Sequence, residues 1–122
     1  MKVPLAEITR QKANWKWTLL IAQPEGVDRA ALKGAQKELE ARGKSGCERV
    51  RLETITEGTC VQILHLGPYA DEMPDVEAMH AFARESGYGL HGSHHEIYMN
   101  DPRRCRPEKI KTILRQPVRK AR

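Results

Sequence analysis

The run GSHHEIYMNDPRR, residues 92–104, places two histidines, a glutamate and a tyrosine ahead of a turn signal and two arginines. Residues of these types support three chemistries: metal ligation, acid–base work by a carboxylate, and capture of a cation against an aromatic ring. The run reads as a strand near 94–100, and successive strand side chains point to opposite faces. His94, Glu96 and Tyr98 then share one face, with His95, Ile97 and Met99 on the other. Adjacent strand histidines cannot converge on one ion without a bulge, so the carboxylate reading gains over the metal one. A zinc site from His91, His94 and Cys105 would require the loops to fold together, and no metal or cofactor is expected.

A glutamate at 96, flanked by Tyr98 and facing Trp15, Trp17 and Tyr69, would sit in surroundings of low polarity. Desolvation there raises a carboxyl's pKa toward the range of a useful base. The carboxylate could neutralise a lipophilic cation held on aromatic faces, at about 0.5–2 kcal/mol per cation–π contact. It could also activate water against a strained electrophilic carbon, with Tyr98 or an imidazole as proton donor. His65 and His94 are placed to line the same cleft, whereas His80 lies in a helix and His91 in a glycine-flanked loop. The competing reading makes Glu96 a surface strand acid paired with an arginine, and Tyr69 and Tyr98 core bodies with solvated tips.

Short alternating elements must position these side chains. WKWTLLIAQ, residues 15–23, reads as a strand with Trp15, Trp17, Leu19 and Ile21 on one face, ending before Pro24. Over 27–42, Val27, Ala31, Leu32, Ala35 and Leu39 recur at helical intervals, and Gly43 supplies the stop. ERVRLETIT and TCVQILHL are two β-rich runs separated by Glu57 and Gly58, which predicts a hairpin. DVEAMHAFARESGY predicts a second helix with a stripe of Val76, Met79, Phe82 and Ala83, closed at Gly87. Two strands follow, near 94–100 and 109–116, joined by the Asn100, Asp101, Pro102 turn. Interleaved elements with hairpin connections favour an α+β fold, an antiparallel sheet with two helices packed on one face.

The 122 residues, 39% hydrophobic, suffice for one domain, taken as 1–122. No apolar run reaches the roughly 18–20 residues of a membrane span, and MKVPLAEITRQK lacks a signal-peptide core, so a soluble, cytoplasmic protein without a membrane partner is expected. Cys47, Cys60 and Cys105 are odd in number and widely spaced, which points to reduced thiols; Cys105, among arginines, is the one with a route to reactivity. The net charge of +5 is a C-terminal property, since residues 103–122 hold nine Lys or Arg against one acid. The end RQPVRKAR has no interleaved aromatics and no nucleic-acid-binding signature, so it reads as a solvated tail.

CVQILHLGPYADE at 60–72, HHEIYMNDPRRCRPEKIKTILRQPV at 94–118 and the upstream WKWTLLIAQPE together resemble the GyrI-like small-molecule-binding family. The resemblance covers about 15–118 and is most specific at G-P-Y and at H-H-E-I-Y-x-x-D-P-R. It implies tandem strand-helix-strand-strand modules with a ligand cleft between them, and a glutamate of the E-I-Y motif, here Glu96, in that cleft. It implies effector binding, hydrolysis of cyclopropanoid electrophiles, or action on a partner protein. The chain reads as short for such a family, beginning inside the first module, and KVPLAEITR carries no aromatics where relatives are richer in them. A homodimer that rebuilds the cleft across a two-fold axis is therefore expected.

Overall fold

The computed structural model describes Lys16 and residues 18–122; Trp15 and Trp17, and with them the aromatic wall expected of that segment, lie outside the described residues. The chain divides into two compact units, one of them drawn from residues 14–56 and the other holding residues 57–122.

In the 57–122 unit a single long strand, β4 (Lys111–Lys120), organises everything else. β1 (Cys60–Leu66) pairs antiparallel along one of its edges, from Cys60 opposite Pro117 to Leu66 opposite Lys111. The other edge is shared by two short strands, β3 (His95–Tyr98) opposite Arg115 to Thr112, and β2 (Tyr88–Leu90) opposite Lys120 to Val118. The result is a four-stranded antiparallel sheet. A proline inside a central strand normally costs a ladder bond. Val118 N–H is directed at Thr59 on the β1 side, so the missing N–H of Pro117 falls on the opposite edge, in the gap between β3 and β2. There its carbonyl accepts from His91 N–H at 2.9 Å.

α2 (Met73–Glu85) has Pro74 in its first turn, and Gly87, at φ 87°, lies just past its end. Val76, Met79, His80 and Ala83 are its buried stripe. With Val61, Leu114 and Val118 the apolar members of that stripe form the core, and Ile63, Met73 and Tyr88 pack against it. Phe82 was expected in the stripe but is 62% exposed, because the helix turns its 76/79/80/83 line to the sheet and leaves position 82 outside it.

In the other unit Asp28 caps α1 (Arg29–Ala41), its Oδ1 accepting from Ala31 N–H at 2.9 Å. Gln36 ties the helix to the 3-10 turn Cys47–Arg49, donating to the carbonyls of Cys47 and Val50 at 2.8 and 2.9 Å.

Three expectations need correction. Residues 18–23 form no strand, with Leu19 and Ile21 at 89% and 84% exposure. The hairpin across Glu57 and Gly58 is absent: residues 50–58 are not strand, and β1 takes β4, some fifty residues downstream, as its partner. Pairing is chosen by burial against a facing surface, and local β-propensity cannot see a distant partner. Finally, the basic end is no free tail, because Arg119 and Lys120 belong to β4 and Ala121 N–H donates to Gly87 O at 2.9 Å.

Candidate functional site

The register of β3 decides which chemistry meets. Glu96 lies opposite Leu114 and Tyr98 opposite Thr112, while across β4 those same residues face Ile63 and His65. Directly opposed residues share a face. Glu96, Tyr98 and His65 therefore belong to the face that α2 covers, with the core residue Leu114. His95 is on the reverse face, where its Nδ1 lies 3.1 Å from Glu57 Oε1; Glu57 Oε2 holds Arg115 at 3.0 Å, and Arg115 Nε donates to Gln62 at 3.0 Å. The neighbouring histidines thus diverge as strand geometry requires. The carboxylate–arginine pair proposed for this part of the sheet is made by Glu57.

On the α2 side the Glu96 side chain is only 16% exposed, with its Oε2 3.5 Å from His94 Nε2. Tyr98 lies two residues along on the same face of the strand. The Tyr98 ring meets Tyr69 edge to face at a centroid distance of 5.5 Å and 69° between planes. Tyr69 reaches this position because β1 ends at Leu66 and, after Gly67 and Pro68, the chain enters the 3-10 turn Tyr69–Asp71. Burial, followed by the negative charge of Glu72, pushes the Tyr69 hydroxyl above 10.0. For Tyr98 burial again comes first, then the charge of Glu96, then that of Glu72. Both phenols accordingly stay protonated as hydrogen-bond donors, in a field made negative by two carboxylates.

Tyr98 itself is exposed, so this arrangement is a half-open shelf in which the carboxylate is covered and one aromatic edge is free. Two hollows lie elsewhere. One, of about 460 Å³, is bounded by Leu32, Gln36 and Leu39 in the 14–56 unit, and one of about 330 Å³ lies beside Ile63, Met79 and Phe82. Neither contains Glu96 or a tyrosine.

His65, expected to line the cleft, is 2% exposed and has both ring nitrogens engaged, Nδ1 with Asp75 Oδ2 at 2.6 Å and Nε2 with Pro68 O at 2.9 Å. Its hold on Pro68 O falls one residue before Tyr69. His80 is buried on α2 with Nε2 lacking a partner, and burial, then the nearby His94 and Arg84, lowers its pKa from 6.5. Arg103 and Arg104 form exposed pairs with Asp101. Among the described residues no three His, Cys, Asp or Glu side chains are grouped to hold a metal ion.

Sequence reasoning missed Glu72 and Asp75. Glu72 had a signal, since it follows Tyr69 by three residues in GPYADE and a single turn brings the two together. Asp75 had none, because its partner is ten residues away in another element.

Fold and site together define an α+β module with an acidic, aromatic shelf on the helix-covered face of its sheet. The chain belongs to the GyrI-like family, its model, described as GyrI-like small molecule binding domain, matching residues 20–119. A comparison with curated proteins returned no match. Among solved structures, a hydrolase from Listeria innocua is 38% identical with a TM-score of 0.72, over 80% of this chain and 52% of its own. An uncharacterized conserved protein from the same organism is 40% identical with a TM-score of 0.74, over 80% of this chain and 50% of its own. The chain therefore spans about half the length of these solved relatives. No described helix is long and apolar enough to cross a membrane.

Proposed function

We propose that the chain binds a hydrophobic, cationic small molecule on the shelf formed by Glu96, Tyr98 and Tyr69. Glu72 supplies a second negative charge, and His94 is the residue that Glu96 releases when a cation arrives. The observation that carries this reading is the Glu96 carboxylate, largely covered, on the same strand face as Tyr98, whose ring packs edge to face on Tyr69. A covered carboxylate beside aromatic faces favours a cation that brings its own apolar surface, because each party removes the other's desolvation cost. Trp15 and Trp17 are proposed as further ring surface for the same ligand, and a homodimer is proposed to complete the walls around it. Membership of a small-molecule-binding family supports ligand binding in general.

A second reading has one specific support: a solved relative at 38% identity is described as a hydrolase. In that reading Glu96 activates water against a reactive electrophile and Tyr98 O–H delivers the proton to the departing atom. Titration calorimetry with tetraphenylphosphonium and with neutral triphenylphosphine oxide tests the first reading. Preference for the cation supports it, and equal or absent binding of the two overturns it. Turnover of a cyclopropanoid electrophile that vanishes in Glu96→Gln would select the hydrolase.

A further inference from the structure

The ring of His65 adds a side-chain bridge between the Pro68 carbonyl and the first turn of α2, which the 3-10 turn already links through Asp71 N–H to Pro68 O at 3.0 Å and Glu72 N–H to Tyr69 O at 3.2 Å. Pro68 O is a carbonyl and can only accept, so Nε2 carries a hydrogen. Nδ1 faces Asp75 Oδ2 at 2.6 Å, and a carboxylate in turn accepts only from a protonated Nδ1. Both bonds exist together only when the ring is an imidazolium. The carbonyl it grips belongs to the peptide unit that leads directly into Tyr69, and Asp75 sits in the first turn of α2. Gly67, at φ 121°, turns the chain so that this carbonyl comes back over the ring, while its N–H is anchored on Ile110 O at 2.8 Å.

We propose that His65 is a positioning residue that, by clamping the Pro68–Tyr69 peptide to α2, sets Tyr69 edge to face on Tyr98 and so shapes the binding shelf. This rests on the shelf's being the ligand site, as read above. The groups facing His65 are Asp75 and Glu72 from α2 and the residue before it, and Pro68 O from the loop; directly opposite it on β4 is Thr112, with Tyr98 beyond Thr112 on β3 and Glu96 two positions further along, opposite Leu114. Burial is the largest single effect on its protonation and opposes the charge. The Asp75 bond, the Pro68 carbonyl and the charges of Asp75 and Glu72 together outweigh burial, and the pKa ends above 6.5. A group with a raised folded pKa contributes stability fully below 6.5 and loses it as the pH rises through the raised value. Deprotonation breaks one of the two bonds and loosens the ring's hold on either the helix or the loop, leaving the backbone bonds of the 3-10 turn in place.

This makes an unusual demand on ligand binding. Removing a positive charge near the shelf should by electrostatics alone tighten a cation, whereas loss of the clamp should loosen it. With 13C-labelled tyrosine rings, Tyr69 resonances followed by NMR from about pH 5 to about pH 9 should shift with the same midpoint as the His65 ring. Asp75→Asn should lower that midpoint, and His65→Gln should abolish the Tyr69 transition and weaken tetraphenylphosphonium about three- to tenfold, the value of one ring contact. A Tyr69 ring that ignores the His65 titration in wild type overturns the inference, and Asp75→Asn, which removes only a charge, keeps the test open should His65→Gln fail to fold. If wild type binds no tetraphenylphosphonium the ligand reading fails, while the Tyr69 titration still decides the role of His65.

Discussion

Glu96→Gln removes one charge and almost no volume, which isolates the electrostatic part of the site. A cation seated about 4 Å from the carboxylate would feel about 4 kcal/mol at the effective dielectric of a protein surface. The side chain is 16% exposed, with His94 at 3.5 Å, and the amide of glutamine keeps a dipole there. A loss of about 1–3 kcal/mol is therefore expected, which is about five- to 150-fold in Kd for tetraphenylphosphonium, against less than about threefold for triphenylphosphine oxide. Stability should change by less than about 1 kcal/mol, or rise, since the shape of the side chain is kept and a covered charge has been removed. A ligand-free signal accompanies this: the Tyr98 phenol, held above 10.0 partly by Glu96, should ionise at lower pH in the variant. Calorimetry, thermal melting and an ultraviolet tyrosinate titration cover all three. Equal weakening of cation and neutral probe, with an unmoved Tyr98 titration, would refute the electrostatic role of Glu96.

Leu114→Ala, at a fully buried core position on the central strand, should cost about 2–5 kcal/mol in urea denaturation, and a loss under about 1 kcal/mol would contradict the core described. His80→Leu should stabilise by about 1 kcal/mol by removing a buried nitrogen without a partner. Because the folded pKa of His80 lies below 6.5, wild type should lose stability as the pH falls through 6.5, and the variant should lose less; identical acid limbs would count against a buried neutral ring. Deleting residues 119–122 removes two of the three residue pairs that hold β2 and the Ala121–Gly87 bond, so the melting temperature should fall by the equivalent of about 1–3 kcal/mol; an unchanged melt would return these residues to the status of a solvated tail.

What the sequence by itself determined was local or periodic. Alternation along HHEIY put Glu96 and Tyr98 on one face and His95 on the other, and the register with β4 agrees. Helical spacing and glycine stops located α1 and α2 to within a few residues, and the G-P-Y and H-H-E-I-Y motifs pointed to the GyrI-like family. What tertiary structure alone decided was every choice among distant partners. β-Propensity in ERVRLETIT and WKWTLLIAQ was real as a tendency, yet residues 50–58 and 18–23 are not strand, since a strand forms where a neighbouring edge and a surface to bury against exist. RQPVRKAR read as a tail because basic residues favour water, but its backbone is what β2 needs for pairing, and side-chain charge is silent about backbone bonds. His65 carried the same imidazole on either reading; the 2.6 Å approach of Asp75 from another element turned an expected ligand contact into a buried clamp.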